Sequence, residues 1–105
     1  MSFHIAGNND QELVIDNYKW RAILAMSKDA GIELPDDWNY NDGYGYHTQA
    51  ECDKLADALE GYLKDKGQGK YQFDVGEAEL YNVWPEHVEA FIRFLRKCGG
   101  EFEVW

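Results

Sequence analysis

Cys52 and His47 lie five residues apart, and a thiol beside an imidazole is the pairing that cysteine-based nucleophilic catalysis needs. The dipole of a helix starting just before Cys52 would lower the thiol's pKa, yet Cys52 also falls on that helix's apolar stripe, where a cysteine packs as a small inert hydrophobe. A packed cysteine with a surface histidine is therefore the expectation, and a small enzyme using Cys52 and His47 the alternative. Only Ser2 and Ser27 are available as serines, without GxSxG, so no hydrolase triad is legible. Gly67-Gln68-Gly69-Lys70 is too short for a phosphate loop. Asp37, Asn39 and Asn41 have the alternation of the first calcium ligands of an EF-hand loop, but the obligatory glycine arrives one residue late, at Gly43, and Thr48 stands where a bidentate glutamate belongs. With no CxxC pair or Cys/His cluster either, no catalytic residue, metal or cofactor is expected.

The aromatic, acidic segment is more informative. Trp38, Tyr40, Tyr44 and Tyr46 are interleaved with Asp36, Asp37 and Asp42. Tryptophan and tyrosine anchor binding interfaces because they bring large apolar area at small rotamer cost. The competing explanation is a hairpin turning at Asp42-Gly43 whose cross-strand rings pack a small sheet. Across residues 29–57, eight acids (Asp29, Glu33, Asp36, Asp37, Asp42, Glu51, Asp53 and Asp57) meet a single base, Lys54. The candidate binding set is Asp36, Asp37, Trp38, Tyr40, Asp42, Tyr44, Tyr46, Glu51, Asp53 and Asp57. Basic clusters at residues 64–70 and 93–97 interrupt the acidic field.

The elements that must position this segment follow from periodicity. Glu12-Leu13-Val14-Ile15 reads as a strand, with Asp16 or Asn17 capping a helix over 17–30 whose Trp20, Ile23, Leu24 and Ser27 recur at helical spacing and whose stop is Gly31. Thr48-Gln49-Ala50-Glu51 is a capping box opening a second helix, apolar at Cys52, Leu55, Ala56, Leu59, Tyr62 and Leu63 and ending at Gly67. Residues 71–75 alternate as a strand, and 77–83 are ambiguous, one helical turn being a reading they allow. Pro85 opens a third helix with Val88, Phe91, Ile92, Leu95 and Cys98 inward. After Gly99-Gly100, residues 102–105 alternate as a terminal strand, free to pair with a second copy or with Leu13–Ile15. His4 is expected in a frayed terminus and His87 at the surface. The whole is an α+β fold, one domain over 1–105, three helices with a few short strands.

Chain-wide, 20 acidic against 10 basic side chains give a net charge of −10 on 105 residues, which opposes direct contact with nucleic acid or an anionic membrane. Four Trp, seven Tyr and five Phe supply a core, so the charge does not imply disorder. No signal-like start or span-length apolar run is present, and a cytoplasmic protein with two reduced thiols is expected. Trp20-Arg21-Ala22-Ile23-Leu24, Asn41-Asp42-Gly43, Thr48, Leu55-Ala56-Asp57-Ala58-Leu59-Glu60 and Phe91-Ile92-Arg93-Phe94-Leu95-Arg96-Lys97-Cys98-Gly99-Gly100 give the chain a resemblance to a group of small bacterial proteins without an assigned activity. That resemblance implies a shared fold and transfers no functional residue. In physical type alone, the chain looks like anti-CRISPR inhibitors, other nucleic-acid mimics and immunity proteins. The expected function is a small acidic protein, monomer or homodimer, that docks on a basic protein such as a nuclease or other nucleic-acid-binding protein. The alternatives are a sugar or small-molecule module on loop 38–46, the small enzyme above, and a domain whose acidity serves solubility alone.

Overall fold

The structure, a computed structural model, describes residues 2–7, 12–34, 38, 43–44, 48–66, 71–74, 80–97, 100 and 102–104. The chain begins with a strand that periodicity did not reveal. β1 (Ser2–Gly7) pairs antiparallel with β2 (Glu12–Asp16) from Ser2 opposite Asp16 to Ala6 opposite Glu12. Two apolar residues, Phe3 and Ile5, were too short a period-two signal to stand out, yet both are buried. His4 is correspondingly not frayed: it sits opposite Val14, with Nδ1 3.3 Å from a Glu12 carboxylate oxygen.

Asp16 ends β2 and caps α1 (Asn17–Asp29), accepting the Lys19 N–H at 2.9 Å. Partial burial pushes its carboxyl upward. The Lys19 N–H and ammonium outweigh that effect and hold its pKa below the ordinary 3.8. Trp20, Ala22, Ile23, Leu24, Met26 and Ser27 are buried, and the Ser27 hydroxyl donates to the Ile23 carbonyl, so its burial leaves no unmet donor. The helix closes with a Schellman motif, Gly31 N–H to Lys28 and Ile32 N–H to Ser27, for which Gly31 adopts φ +90°.

β3 (Gly43–Tyr44) corrects the expected turn at Asp42-Gly43, because Gly43 is itself a strand residue facing Val104 of β6 (Phe102–Val104). β6 is also an interior strand. It lies between β1 and β3 in the order β2-β1-β6-β3, so it neither offers a terminal edge nor pairs with Leu13–Ile15. β4 (Tyr71–Asp74) pairs antiparallel with β5 (Leu80–Val83) in a separate two-stranded sheet, so within 77–83 residues 80–83 are strand, and 77–79 lie outside the described residues. α1 lies against β5.

α2 (Gln49–Lys66) buries Cys52, Leu55, Ala56, Leu59 and Leu63, and α3 (Pro85–Lys97) buries Val88, Phe91, Ile92, Phe94 and Leu95. Cys98 lies outside the described residues. At the start of α2 the Thr48 hydroxyl accepts the Glu51 N–H and donates to the Glu51 carboxylate, a variant of the expected box. At the start of α3, His87 reaches back so that Nδ1 accepts the Trp84 N–H, the equivalent of the second half of a capping box. The helices and the four-stranded sheet meet at Trp20, whose ring centroid is 5.2 Å from Phe91, edge to face, and 5.7 Å from Phe3. Trp38 fills the gap between Trp20 and Phe102, and its carbonyl accepts the buried Trp20 indole N–H at 2.7 Å.

The turn after α3 is held against the start of α2. Gly100 is buried at φ +105°, and a side chain there would stand 2.8 Å from the Thr48 carbonyl carbon and 2.9 Å from the Gln49 nitrogen. Its carbonyl accepts the Cys52 thiol at 3.2 Å, while Gln49 Nε2 donates to the Leu95 carbonyl at 2.6 Å. Gly31 has a similar φ but open space around it. Urea denaturation should therefore show Gly100→Ala losing about 2–4 kcal/mol, strain plus overpacking, and Gly31→Ala losing about 1–2 kcal/mol. Equal losses would mean that the backbone approach contributes nothing.

Candidate protein-docking surface

Asp53, Asp57 and Glu60 fall four and three residues apart on α2, a spacing that stacks their side chains along one helical face. α3 runs back along α2 and brings Arg96 to them. Arg96 Nη2 donates to Asp57 at 2.7 Å and to Glu60 at 3.1 Å, and Nη1 lies 3.7 Å from Asp53. The two carboxylate hydrogen bonds raise the guanidinium pKa above its ordinary value. Asp53 is further fixed by Gln49 Nε2 at 3.0 Å, so one amide group bridges the α2 carboxylate and the end of α3.

Three carboxylates against one guanidinium leave a charge of −2 in this cluster. Asp57 stays 71% exposed despite its bond to Arg96, whereas the Arg96 side chain is only 32% exposed. Asp57 therefore presents outward, while the Arg96 stem is partly covered and its guanidinium stays at the surface among the three carboxylates. This corrects the expected division into an acidic half and a separate basic cluster at 93–97: Arg96 belongs to the acidic face. Glu60 and Arg96 were absent from the expected set. The 53-57-60 spacing was visible in the sequence, but the register of α2 on α3 was not, because β4 and β5 intervene between them.

The opposite flank of α2 meets the end of α1. Gly31, Ile32, Glu33, Glu51, Lys54 and Leu55 line a shallow cleft of about 510 Å³, and Tyr62 on α2 donates to Asp29 at 2.8 Å. At the other end, Glu60, Leu63 and Lys64 face Glu89, Ile92 and Arg93 across a groove of about 330 Å³.

Of the expected binding set, the structure thus brings Asp53 and Asp57 together at Arg96 and places Glu51 on the other flank of α2, beside the α1 cleft. Trp38 is a correction: it is wholly buried between Trp20 and Phe102, so its ring serves the core and not a partner or a sugar. Burial won because the Trp38 ring packs on both Trp20 and Phe102 while its carbonyl takes the Trp20 indole N–H. Tyr44 occupies the register position opposite Glu103. Asp36, Asp37, Tyr40, Asp42 and Tyr46 lie outside the described residues, as do His47, Asn39 and Asn41. Cys52 is fully buried with its thiol given to Gly100, which removes it from contact with a substrate in this conformation. Among the described residues, no three His, Cys, Asp or Glu side chains are grouped to hold a metal ion, and no helix is long and apolar enough to cross a membrane.

Because these charges are largely solvated, Arg96→Met should cost at most about 1 kcal/mol at low salt, with the loss shrinking as salt screens the three carboxylates. Denaturation midpoints measured at low and high ionic strength check this; a loss independent of salt would show that Arg96 acts through packing of its stem. Compared with protein-family models, curated proteins and solved structures, the chain matches none.

Proposed function

We propose that this chain is a small acidic protein-binding protein of the cytoplasm, an inhibitor in physical type, that docks the outer face of α2 on a basic surface of its partner. The observation that carries this reading is the incompletely compensated carboxylate row: Asp57 projects into solvent beside a guanidinium that neutralises only one of three charges. Gln49 and Arg96 hold the row in place before any partner arrives, so little side-chain ordering is left to oppose binding. A net charge of −10 adds long-range attraction to a cationic surface and raises the encounter rate. Proteins that bind nucleic acid, nucleases among them, carry such surfaces. The burial of Trp38 and of Cys52 withdraws those two side chains from the sugar-binding and enzymatic alternatives.

The test is capture of partners by the tagged chain from its native host with cross-linking, followed by affinity measurement on the purified partner. A protein with a cationic surface is expected, bound at least about tenfold more weakly at 500 mM than at about 50 mM salt. Glu33→Lys with Asp57→Lys should weaken binding at least about tenfold while leaving the denaturation midpoint near its original value. A partner held equally in both salts and by the charge-reversed chain contradicts the proposal.

A further inference from the structure

We propose that β2 is a second contact for the partner, taking up an extended basic segment as an added strand of the four-stranded sheet. The sheet ends in β2 on one side and in the two-residue β3 on the other. Among the described residues β2 pairs only with β1, and that pairing runs the length of β2, which holds it extended. Such an edge is a template for another strand, with backbone hydrogen bonds giving affinity and alternate side chains giving selectivity.

The side chains specify the occupant. Ile15 is buried and Leu13 packs against the core, while Glu12, Val14 and Asp16 face outward, Val14 at 54% exposure. The outward row is thus acid, apolar, acid at spacing two. A second copy of the chain does not suit it: antiparallel pairing about Val14 would set Glu12 against Asp16 of the other copy twice, and like charges directly opposite are destabilising. Lys19 offsets part of the Asp16 charge and His4 lies beside Glu12, so the edge keeps one net negative charge when His4 is neutral. A segment with Lys or Arg at positions i and i+4 around an apolar i+2 matches this row in charge and in shape. The inference rests on the acidic-binder reading and adds to it the secondary structure and charge pattern of the partner segment.

Titrating the isotope-labelled chain with the capped peptide Lys-Thr-Val-Thr-Lys, and in parallel with its Glu-Thr-Val-Thr-Glu analogue, tests the edge directly. The lysine peptide should shift the Glu12–Asp16 amides and slow their hydrogen exchange severalfold, the glutamate peptide should not, and Glu12→Lys should weaken the lysine peptide's effect. No response of β2 at millimolar lysine peptide, or equal responses to both peptides, overturns the proposal. A chain that captures a salt-sensitive basic partner while β2 stays unresponsive loses the edge and keeps the function. A chain whose β2 responds while no basic partner is captured keeps the edge and loses the function.

Discussion

Gly100 leans its backbone against Thr48 and Gln49 at a distance that excludes any side chain, and much of the fold depends on that approach. It brings the end of α3 to the start of α2, where the Gln49 amide takes the Leu95 carbonyl and the Cys52 thiol takes the Gly100 carbonyl. Both acceptors are groups that a helix end or a buried turn would otherwise leave unmet. Two residues later the chain enters β6, which is sandwiched between β1 and β3 and so closes the sheet over Phe102, Trp38 and Trp20. The same junction sets the register that lays Arg96 across Asp53, Asp57 and Glu60. The cluster centred on Arg96 is therefore a product of the packing and not merely of composition.

What the sequence disclosed was local. Asp16, Gly31, Thr48 and Pro85 mark helix ends by chemistry that acts within a few residues, and the helices accordingly begin and end where those signals place them. The apolar stripes of α1 and α2 were legible for the same reason, with Phe94 an additional buried ring on α3. The strands were less so. β1 has only Phe3 and Ile5 as a period-two signal, β5 follows a stretch with helix-compatible residues, and the interior place of β6 depends on pairing with residues nearly a chain length away. Long-range pairing leaves no mark in a short window. Trp38 shows the same limit at a single residue, since an aromatic in an acidic loop has the composition of a binding anchor whether it points outward or, as here, fills the core.

The site divides along that line. Glu51, Asp53, Asp57 and Glu60 were visible as acids on the polar side of a helix, whereas Arg96 joined the last three only through tertiary contact. Electrostatics in this cluster is weak as a source of stability, because the groups remain largely in water. Its weight lies in arrangement: three carboxylates of α2 gather round one guanidinium from α3, so the surface that a partner meets keeps a charge of −2 and is built from both helices.

Native-state hydrogen exchange gives the most direct test of the junction on which this account rests. If Gly100 couples α3 and β6 to the start of α2, the slow amides of residues 52–56 and of 102–104 should open with one common free energy, and Gly100→Ala should lower both by the same amount. β6 amides that open at lower free energy while the first turns of α2 keep their protection in the variant would contradict it.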